Sequence, residues 1–300
     1  MTADMNASLG PQKTAGVSAS RRKRIERLGF AGMSLAALLT VAPIVLIVVH
    51  IYSNGLPAIS WEFLTAIPRD GMRAGGILPA IVGTFWLTLG TAVIAVPLGV
   101  GAAIYLAEYA ADNRWTRTIR IAIINLAGIP SVVYGLFGLG LFVLFLQFGT
   151  SLLAGSLTLA IMTIPVIIST AEEALRAVPN SFRVVSVSLG GTQWQTIRKV
   201  VLPQALPGIL TGVILGLERA AGETAPILFT VAAFFLPRLP HSIFDASMAL
   251  PYHLFVISTQ VPGMPIRIQY GTAVVLLTFV LGMNVIATII RSRARARRQW

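Results

Sequence analysis

The sequence predicts an all-α membrane protein with six transmembrane helices and both termini in the cytoplasm. Its 300 residues are 55% hydrophobic and only 11% charged, with a mean hydropathy of +0.79, which is too apolar for a soluble domain of this length. Six apolar runs are long enough to cross a bilayer. Of the 23 lysines and arginines, six lie in the N-terminal tail, five in the C-terminal tail, and three and four in two connections that six spans place on the same side. The positive-inside rule makes that side cytoplasmic.

The predicted spans divide the chain into membrane segments and polar connections. Residues 1–27 are predicted to form a disordered, basic cytoplasmic tail and residues 291–300 a second basic cytoplasmic tail. The spans between them are predicted at residues 28–51, 77–105, 121–148, 152–170, 207–236 and 272–290. The first apolar run is longer than a signal peptide requires, and no small-residue cleavage site follows it, so we expect it to remain as a span.

Prolines and glycines predict where the spans deviate from regular helix. Pro97 predicts a kink in the second span, and Pro130-Ser-Val-Val-Tyr-Gly-Leu-Phe-Gly138 predicts a kinked or locally unwound third span. Because only a few residues separate the third and fourth spans, these two are expected to be antiparallel neighbours. A proline-punctuated connection at 237–271 is expected outside the membrane.

The polar connection 171–206 has helical periodicity that is interrupted twice. The interruptions are Pro179-Asn180 and Leu189-Gly-Gly-Thr192. Because proline and glycine end helices, this pattern predicts two short helices joined by a turn.

The fifth span carries the most specific candidate site, which consists of three charged residues: Glu218, Arg219 and Glu223. Charged side chains are costly inside a bilayer and usually mark a transport pathway. Arg219 and Glu223 are four residues apart and share one face of a helix. The guanidinium either offers donors to a tetrahedral oxyanion or forms a structural ion pair with Glu223, and the residue types alone do not decide. Glycines spaced four residues apart predict a face for close helix packing: Gly208, Gly212 and Gly216.

Several function classes are not expected. The basic residues flank apolar runs without aromatic interleaving, which argues against nucleic-acid binding. The chain has no cysteine, and the histidines are too scattered for a metal site: His50, His241 and His253. Glu172 and Glu173 diverge on a helix, so a solvated face is expected rather than an acid–base pair. Without a catalytic motif, energy for transport must come from another subunit or an ion gradient.

Four stretches resemble a known family: Gly222-Glu-Thr-Ala-Pro226 after Arg219, Gly76-Ile-Leu-Pro-Ala-Ile-Val-Gly-Thr84, the 130–138 stretch, and Trp194-Gln-Thr-Ile-Arg-Lys-Val-Val-Leu-Pro203. They are similar to the PstA permease subunits of phosphate ABC importers, in the region from residue 70 to residue 290. The resemblance implies a MetI-like type I importer permease in the lipid of the bacterial inner membrane. It also implies a sister permease, PstC, two copies of the ATPase PstB, and an external phosphate-binding protein, PstS. ATP and Mg would bind to the ATPase, and no cofactor is expected on this chain.

The resemblance implies roles for residues of the fifth span. Arg219 is expected to contact phosphate, Glu223 to orient or neutralise Arg219 between transport steps, and Thr224 to offer a hydroxyl. Gly222 and Pro226 would form a local break in the helix.

The resemblance also makes residues 171–206 the coupling loop, the segment that docks on the ATPase. Gly190, Leu202 and Pro203 match the family's pattern there. Val184-Val-Ser186 stands where the family has Glu-Ala-Ala, which leaves the carboxylate contact to the ATPase open. Ser169 stands where many relatives have an arginine, so Arg219 is expected to carry more of the anion's charge.

Other functions fit the same observations. The same fold could import another oxyanion, such as sulfate or molybdate. A membrane scaffold that senses phosphate supply is a different class, and the absence of a signalling domain counts against it. An ion-gradient carrier is disfavoured because the sequence lacks the inverted repeat often found in such folds.

Overall fold

The computed structural model describes residues 19–296, which form twelve α-helices. The first six are α1 (Ala19–Gly55), α2 (Trp61–Thr65), α3 (Leu78–Ile104), α4 (Arg114–Ala127), α5 (Ser131–Gly138) and α6 (Leu152–Arg176). The other six are α7 (Asn180–Ser188), α8 (Gln193–Thr196), α9 (Leu202–Gly222), α10 (Ala225–Thr230), α11 (Leu250–Thr259) and α12 (Ile266–Ala296). The chain divides into two units, residues 1–51 and residues 52–300.

The predicted tails fall partly outside the part of the chain that the structure describes. Residues 1–18 and 297–300 lie outside it. Residues 19–27, predicted as part of a disordered tail, begin α1, and residues 291–296 end α12.

Within residues 19–296, five helical stretches are long and apolar enough to cross a membrane: Glu26–Ala58, Leu78–Tyr109, Leu152–Arg176, Gln193–Gly222 and Ile266–Arg293. Two of them contain a π-helical turn, Tyr105–Tyr109 after α3 and Ile197–Val201 between α8 and α9. A sixth span is present if α4 and α5 are taken together. The predicted all-α membrane fold is confirmed.

The third predicted span is sharply bent rather than gently kinked. The chain turns by 99° between α4 and the stretch that begins with α5. Pro130 lies at the bend, where it cannot donate a backbone hydrogen bond and disfavours helical geometry in the residue before it. The helix also starts earlier than residue 121, because the Asn113 side chain accepts a hydrogen bond from the Thr116 N–H and caps α4.

The fifth predicted span, 207–236, is regular only as far as Gly222. Glu223 has extended backbone geometry, and Pro226 lies in the first turn of α10. Because proline suits the first turn of a new helix but not a helix interior, the chain restarts as a short separate helix. We call Glu223–Thr224 the α9 break.

The chain after α10 folds back into the protein instead of continuing as a span. Backbone N–H groups of Ser151 and Leu152, at the start of α6, donate to carbonyls of Thr230 and Asp245. The backbone N–H groups of His241 and Ser242 donate to Asp245 Oδ2, at 2.8 and 3.1 Å. These hydrogen bonds hold the pKa of that carboxyl below its usual value.

The connection expected outside the membrane at 237–271 also contains a buried helix. Leu250 and Val256 of α11 are fully buried, and α11 packs against α3 and α12. Prolines recur along the connection 237–271, so the sequence indicated a loop, whereas the structure has a short apolar helix in the core.

α6 is the central helix of the second unit, packed between α3 and α9. The glycines predicted for close packing all face it. A Cβ at Gly208 would meet Ala174, one at Gly212 would overlap the Thr170 side chain, and one at Gly216 would meet Thr163. The two backbones therefore approach more closely than larger residues would allow.

We expect Gly212→Val to destabilise the purified protein, because the added side chain has no room beside Thr170. Overpacking of this kind costs about 1–3 kcal/mol, which lowers the thermal midpoint by roughly 2–10 °C. Gly101→Val in α3 is the matched control, since nothing lies within 4 Å of a Cβ there. Equal midpoints for the two variants would contradict the tight contact between α6 and α9.

Candidate functional site

Arg219 and Glu223 lie together at the α9 break. Arg219 Nε donates to Glu223 Oε1 at 3.3 Å, and the two side chains are 40% and 16% exposed. Within residues 19–296, the other four N–H groups of the guanidinium have no hydrogen-bond partner. The hydrogen bond between Arg219 and Glu223 is thus long, and most of the N–H donors of Arg219 remain available to a ligand.

Thr224 occupies the N-cap position of α10, yet its side chain makes no capping hydrogen bond. Its backbone carbonyl accepts from the Leu228 N–H at 3.1 Å. The hydroxyl is therefore not needed by the helix that follows it.

A second interrupted element borders the α9 break. A Cβ at Gly135 in α5 would meet Pro226 and the Ala225 carbonyl, so α5 lies directly on the start of α10. Tyr134 is close enough to Arg219 for a Coulombic interaction. The helix that follows the bend at Pro130 therefore packs on the helix that follows the α9 break.

Tyr134 fastens the bend between α4 and α5. Its hydroxyl donates to the Leu126 carbonyl at 2.7 Å, and the side chain is buried. The Ile129 N–H donates to the same carbonyl at 3.1 Å. Tyr134 belongs to the 130–138 stretch, but a hydrogen bond across a proline bend leaves no signal in the linear pattern of residues.

The space behind Glu223 is small. A cavity of about 10 Å³ is lined by Glu223 together with Thr84 and Thr88 of α3. That volume holds about one water molecule. An anion cannot pass here unless the helices around the cavity move.

Glu218 lies on a different face of α9 from Arg219. Its Oε1 atom is buried and has no hydrogen-bond partner within the described residues. Thr211, seven residues earlier on the same face, accepts a hydrogen bond from Arg291 of α12 at 3.5 Å. Glu218 is thus separated from the Arg219–Glu223 pair and belongs to the side of α9 that meets α12.

The connection 171–206, which the resemblance makes the coupling loop, forms short helices joined by a tight turn. Gly190 has φ of +83°, a conformation that glycine adopts without strain. A capping box between Thr192 and Gln195 starts α8. Leu202 packs into the core, and Pro203 lines a groove of about 780 Å³ between α7 and the start of α9.

The departure from Glu-Ala-Ala leaves an apolar surface on this loop. Val184 and Val185 are exposed, and Leu189 is 85% exposed. The hydroxyl of Ser186 is hydrogen-bonded to the Thr196 hydroxyl at 2.8 Å, which holds α7 against α8. Clustered exposed apolar side chains of this kind mark a surface that a partner covers.

The expectation of a solvated face at Glu172 is wrong. Glu172 is 8% exposed and accepts hydrogen bonds from Arg120 Nε at 2.7 Å and Arg176 Nε at 2.9 Å. Arg120 reaches it from α4, and a contact between residues so distant in sequence is not encoded in helical periodicity. Glu173 is exposed as expected. Within the described residues, no three potential ligands of the His, Cys, Asp and Glu types cluster around a metal position.

Comparisons with known proteins agree on one family. The family model of the binding-protein-dependent transport system inner membrane component matches residues 95–298. The chain is 34% identical over 280 residues to the probable ABC transporter permease protein YqgI of Bacillus subtilis strain 168, covering 89% of this chain and 95% of the relative. It is 37% identical over 227 residues to the phosphate transport system permease protein PstA 1 of Mycobacterium tuberculosis strain H37Rv, covering 75% and 73%.

The fold is also similar to a solved structure. An inward-facing form of the MetNI methionine ABC transporter superposes with a TM-score of 0.56 at 20% identity, covering 73% of this chain and 94% of that chain. At this identity the likeness concerns the fold.

We expect Tyr134→Phe to loosen the bend between α4 and α5. Losing one of the two hydrogen bonds to Leu126 costs about 1 kcal/mol, which lowers the thermal midpoint by roughly 2–4 °C. Tyr105→Phe, at an exposed tyrosine, makes the same chemical change and should leave the midpoint where it is. If both variants melt like the unmodified protein, the hydroxyl does not hold the bend.

Proposed function

We propose that this chain passes inorganic phosphate inward as the permease subunit of an ATP-driven importer. It belongs to the family of binding-protein-dependent transport system inner membrane components. As a member of that family it is a multi-pass protein of the inner membrane, and the ATPase of an ABC importer is a separate subunit. The choice of phosphate as ligand rests on the guanidinium donors of Arg219 that are free at the α9 break. It is supported by a relative that is named as part of a phosphate transport system.

Arg219 suits a phosphate ion for chemical reasons. A guanidinium offers parallel N–H donors that match two oxygens of a tetrahedral oxyanion, and it stays charged in a poorly solvated site. Glu223 neutralises part of that charge when no anion is present, through its 3.3 Å contact. Thr224 adds a hydroxyl that can donate to a third oxygen.

Transport by alternating access fits the small size of the cavity behind Glu223. An ion bound at Arg219 moves on only when α3 shifts relative to the α9 break, because both line that cavity. Interrupted helices allow such shifts, since the residues at a break absorb changes in backbone geometry while the helices move as rigid bodies.

The partners follow from the family and from the exposed surfaces. A permease of this family works with an ATPase and a binding protein outside the membrane. We assign these as PstB, in two copies, and PstS, with PstC as the sister permease that completes the translocation path. The apolar surface of the coupling loop, including Val185 and Leu189, is the docking site for PstB. ATP and Mg are held by PstB. Both termini then lie in the cytoplasm, on the side of the ATPase.

The substrate role of Arg219 is tested by Arg219→Gln. In cells that depend on this importer, initial uptake of labelled phosphate should fall by about 10- to 100-fold, as expected for loss of a charge-assisted hydrogen bond. Arg267→Gln, an exposed arginine at the start of α12, should leave uptake unchanged. A variant that no longer assembles with its partners would favour a structural ion pair, contrary to the proposal.

Competition distinguishes phosphate from other oxyanions. Excess sulfate or molybdate should not reduce phosphate uptake by the unmodified importer. If either one competes fully, the chain serves that oxyanion instead. If uptake is unchanged after the chain is deleted, the importer assignment is wrong and the sensing scaffold is the better reading.

Docking of the ATPase is tested by Leu189→Asp. A charge placed in an apolar contact loses the burial of a leucine side chain, about 2 kcal/mol, and adds desolvation of a carboxylate. We expect the ATPase to co-purify at least tenfold less with this variant. Ile266→Asp, at another exposed apolar residue outside the coupling loop, is the control. Undiminished co-purification with Leu189→Asp would place the ATPase elsewhere.

A further inference from the structure

A nearly buried ion pair joins the coupling loop to α3. Glu108 lies in the π-helical turn that ends the α3 span. Arg183 of α7 donates to both of its carboxylate oxygens, from Nη2 to Oε1 at 2.6 Å and from Nε to Oε2 at 3.1 Å. The side chains are 7% and 21% exposed. A bidentate pair with this little water contact is geometrically rigid.

The two residues also form hydrogen bonds with neighbouring segments of the chain. Arg183 donates to the backbone carbonyls of Val178 at 2.7 Å and Leu175 at 2.9 Å, where α6 ends. The Gln193 side chain, on the far side of the Gly190 turn, donates to the backbone carbonyl of Glu108 at 2.8 Å. Glu108 therefore holds the coupling loop both before and after its turn.

Another arginine in the same region makes a different kind of contact. Arg176 pairs with Glu172 at 2.9 Å, but both belong to α6 and are four residues apart. That ion pair stays within one helix and connects no moving parts. It provides a natural comparison for Arg183, which reaches a carboxylate 75 residues away in the sequence.

α3 connects this pair to the candidate substrate path. Glu108 is at one end of the α3 span, and Thr84 and Thr88 near its other end line the small cavity beside Glu223. The distance along the helix from Thr84 to Glu108 is about 36 Å at the usual rise per residue. The helix continues through Pro97 without interruption, so a displacement at one end can be carried to the other.

We propose that the Glu108–Arg183 pair, assisted by Gln193, is the link that converts movement of the coupling loop into movement of α3 and so opens the substrate path. This inference rests on the proposed function, since it assumes an ATPase that moves the loop. When the ATPase displaces α7, the pair pulls the end of α3, and the shift reaches the cavity at Glu223. Arg183 and Glu108 are positioning residues that touch neither phosphate nor ATP.

The test uses the complete importer in proteoliposomes with its external binding protein. Phosphate uptake and ATP hydrolysis are measured on the same vesicles, and their ratio is the coupling ratio. For Glu108→Gln and for Arg183→Gln we expect ATP hydrolysis within about twofold of the unmodified rate and a coupling ratio about tenfold lower. The double variant should be no worse than either single one, because the two residues act as one unit. Arg176→Gln, the matched control, should keep the ratio.

Arg183→Lys separates this role from a merely structural one. Lysine keeps the charge but not the forked geometry, so it should restore part of the coupling ratio. If uptake and ATP hydrolysis fall together in correctly assembled complexes, the pair only supports the fold and the proposal is wrong. A normal ratio in Glu108→Gln also overturns it. Failure of the proposed function is recognised separately, because the unmodified importer would then show no ATP-dependent phosphate uptake.

Discussion

The structure depends on one constraint, which is that backbone polar groups inside a bilayer need partners within the protein. Helices α4 and α9 both end within the second unit, at Gly128–Pro130 and at the α9 break. The groups freed there are satisfied locally, as when Leu126 accepts from both Tyr134 and Ile129. Such breaks are tolerated because α6 packs close by, and that closeness requires the glycines of α9. Close packing and interrupted helices are therefore two aspects of one arrangement.

The same constraint explains why a charged pair can exist at this position. An arginine in a lipid-facing helix is expensive, but Arg219 lies in the last turn of α9, among backbone groups that the helix no longer pairs. The weak contact between Arg219 and Glu223 leaves the guanidinium underused by the protein itself. A site that is fully satisfied would bind no ligand, whereas one with free donors at a point where helices can pivot is suited to taking up and releasing an anion.

The sequence predicted the fold class and the position of the α9 break, because composition, positive charge and proline act locally. The family was identified from the resemblance of four short stretches. It misjudged features that depend on contacts between distant segments. The buried helix α11 sits in a proline-rich stretch that resembles a loop. Glu172 was expected to be solvated, but Arg120 arrives from α4 to pair with it. The Glu108–Arg183 contact likewise joins residues from separate elements, and no periodicity in either segment indicates it.

The contacts of α7 explain why Val184-Val-Ser186 can replace Glu-Ala-Ala without detaching the loop from α3. A carboxylate at 184 would point out with the exposed valine that replaces it, so it could face the ATPase but could not anchor the loop to this chain. Arg183, one residue earlier, anchors the loop by its ion pair with Glu108. The exposed valines and the arginine that ties α7 to Glu108 thus lie on different faces of α7. A substitution on the exposed face therefore leaves the ion pair between the loop and α3 in place.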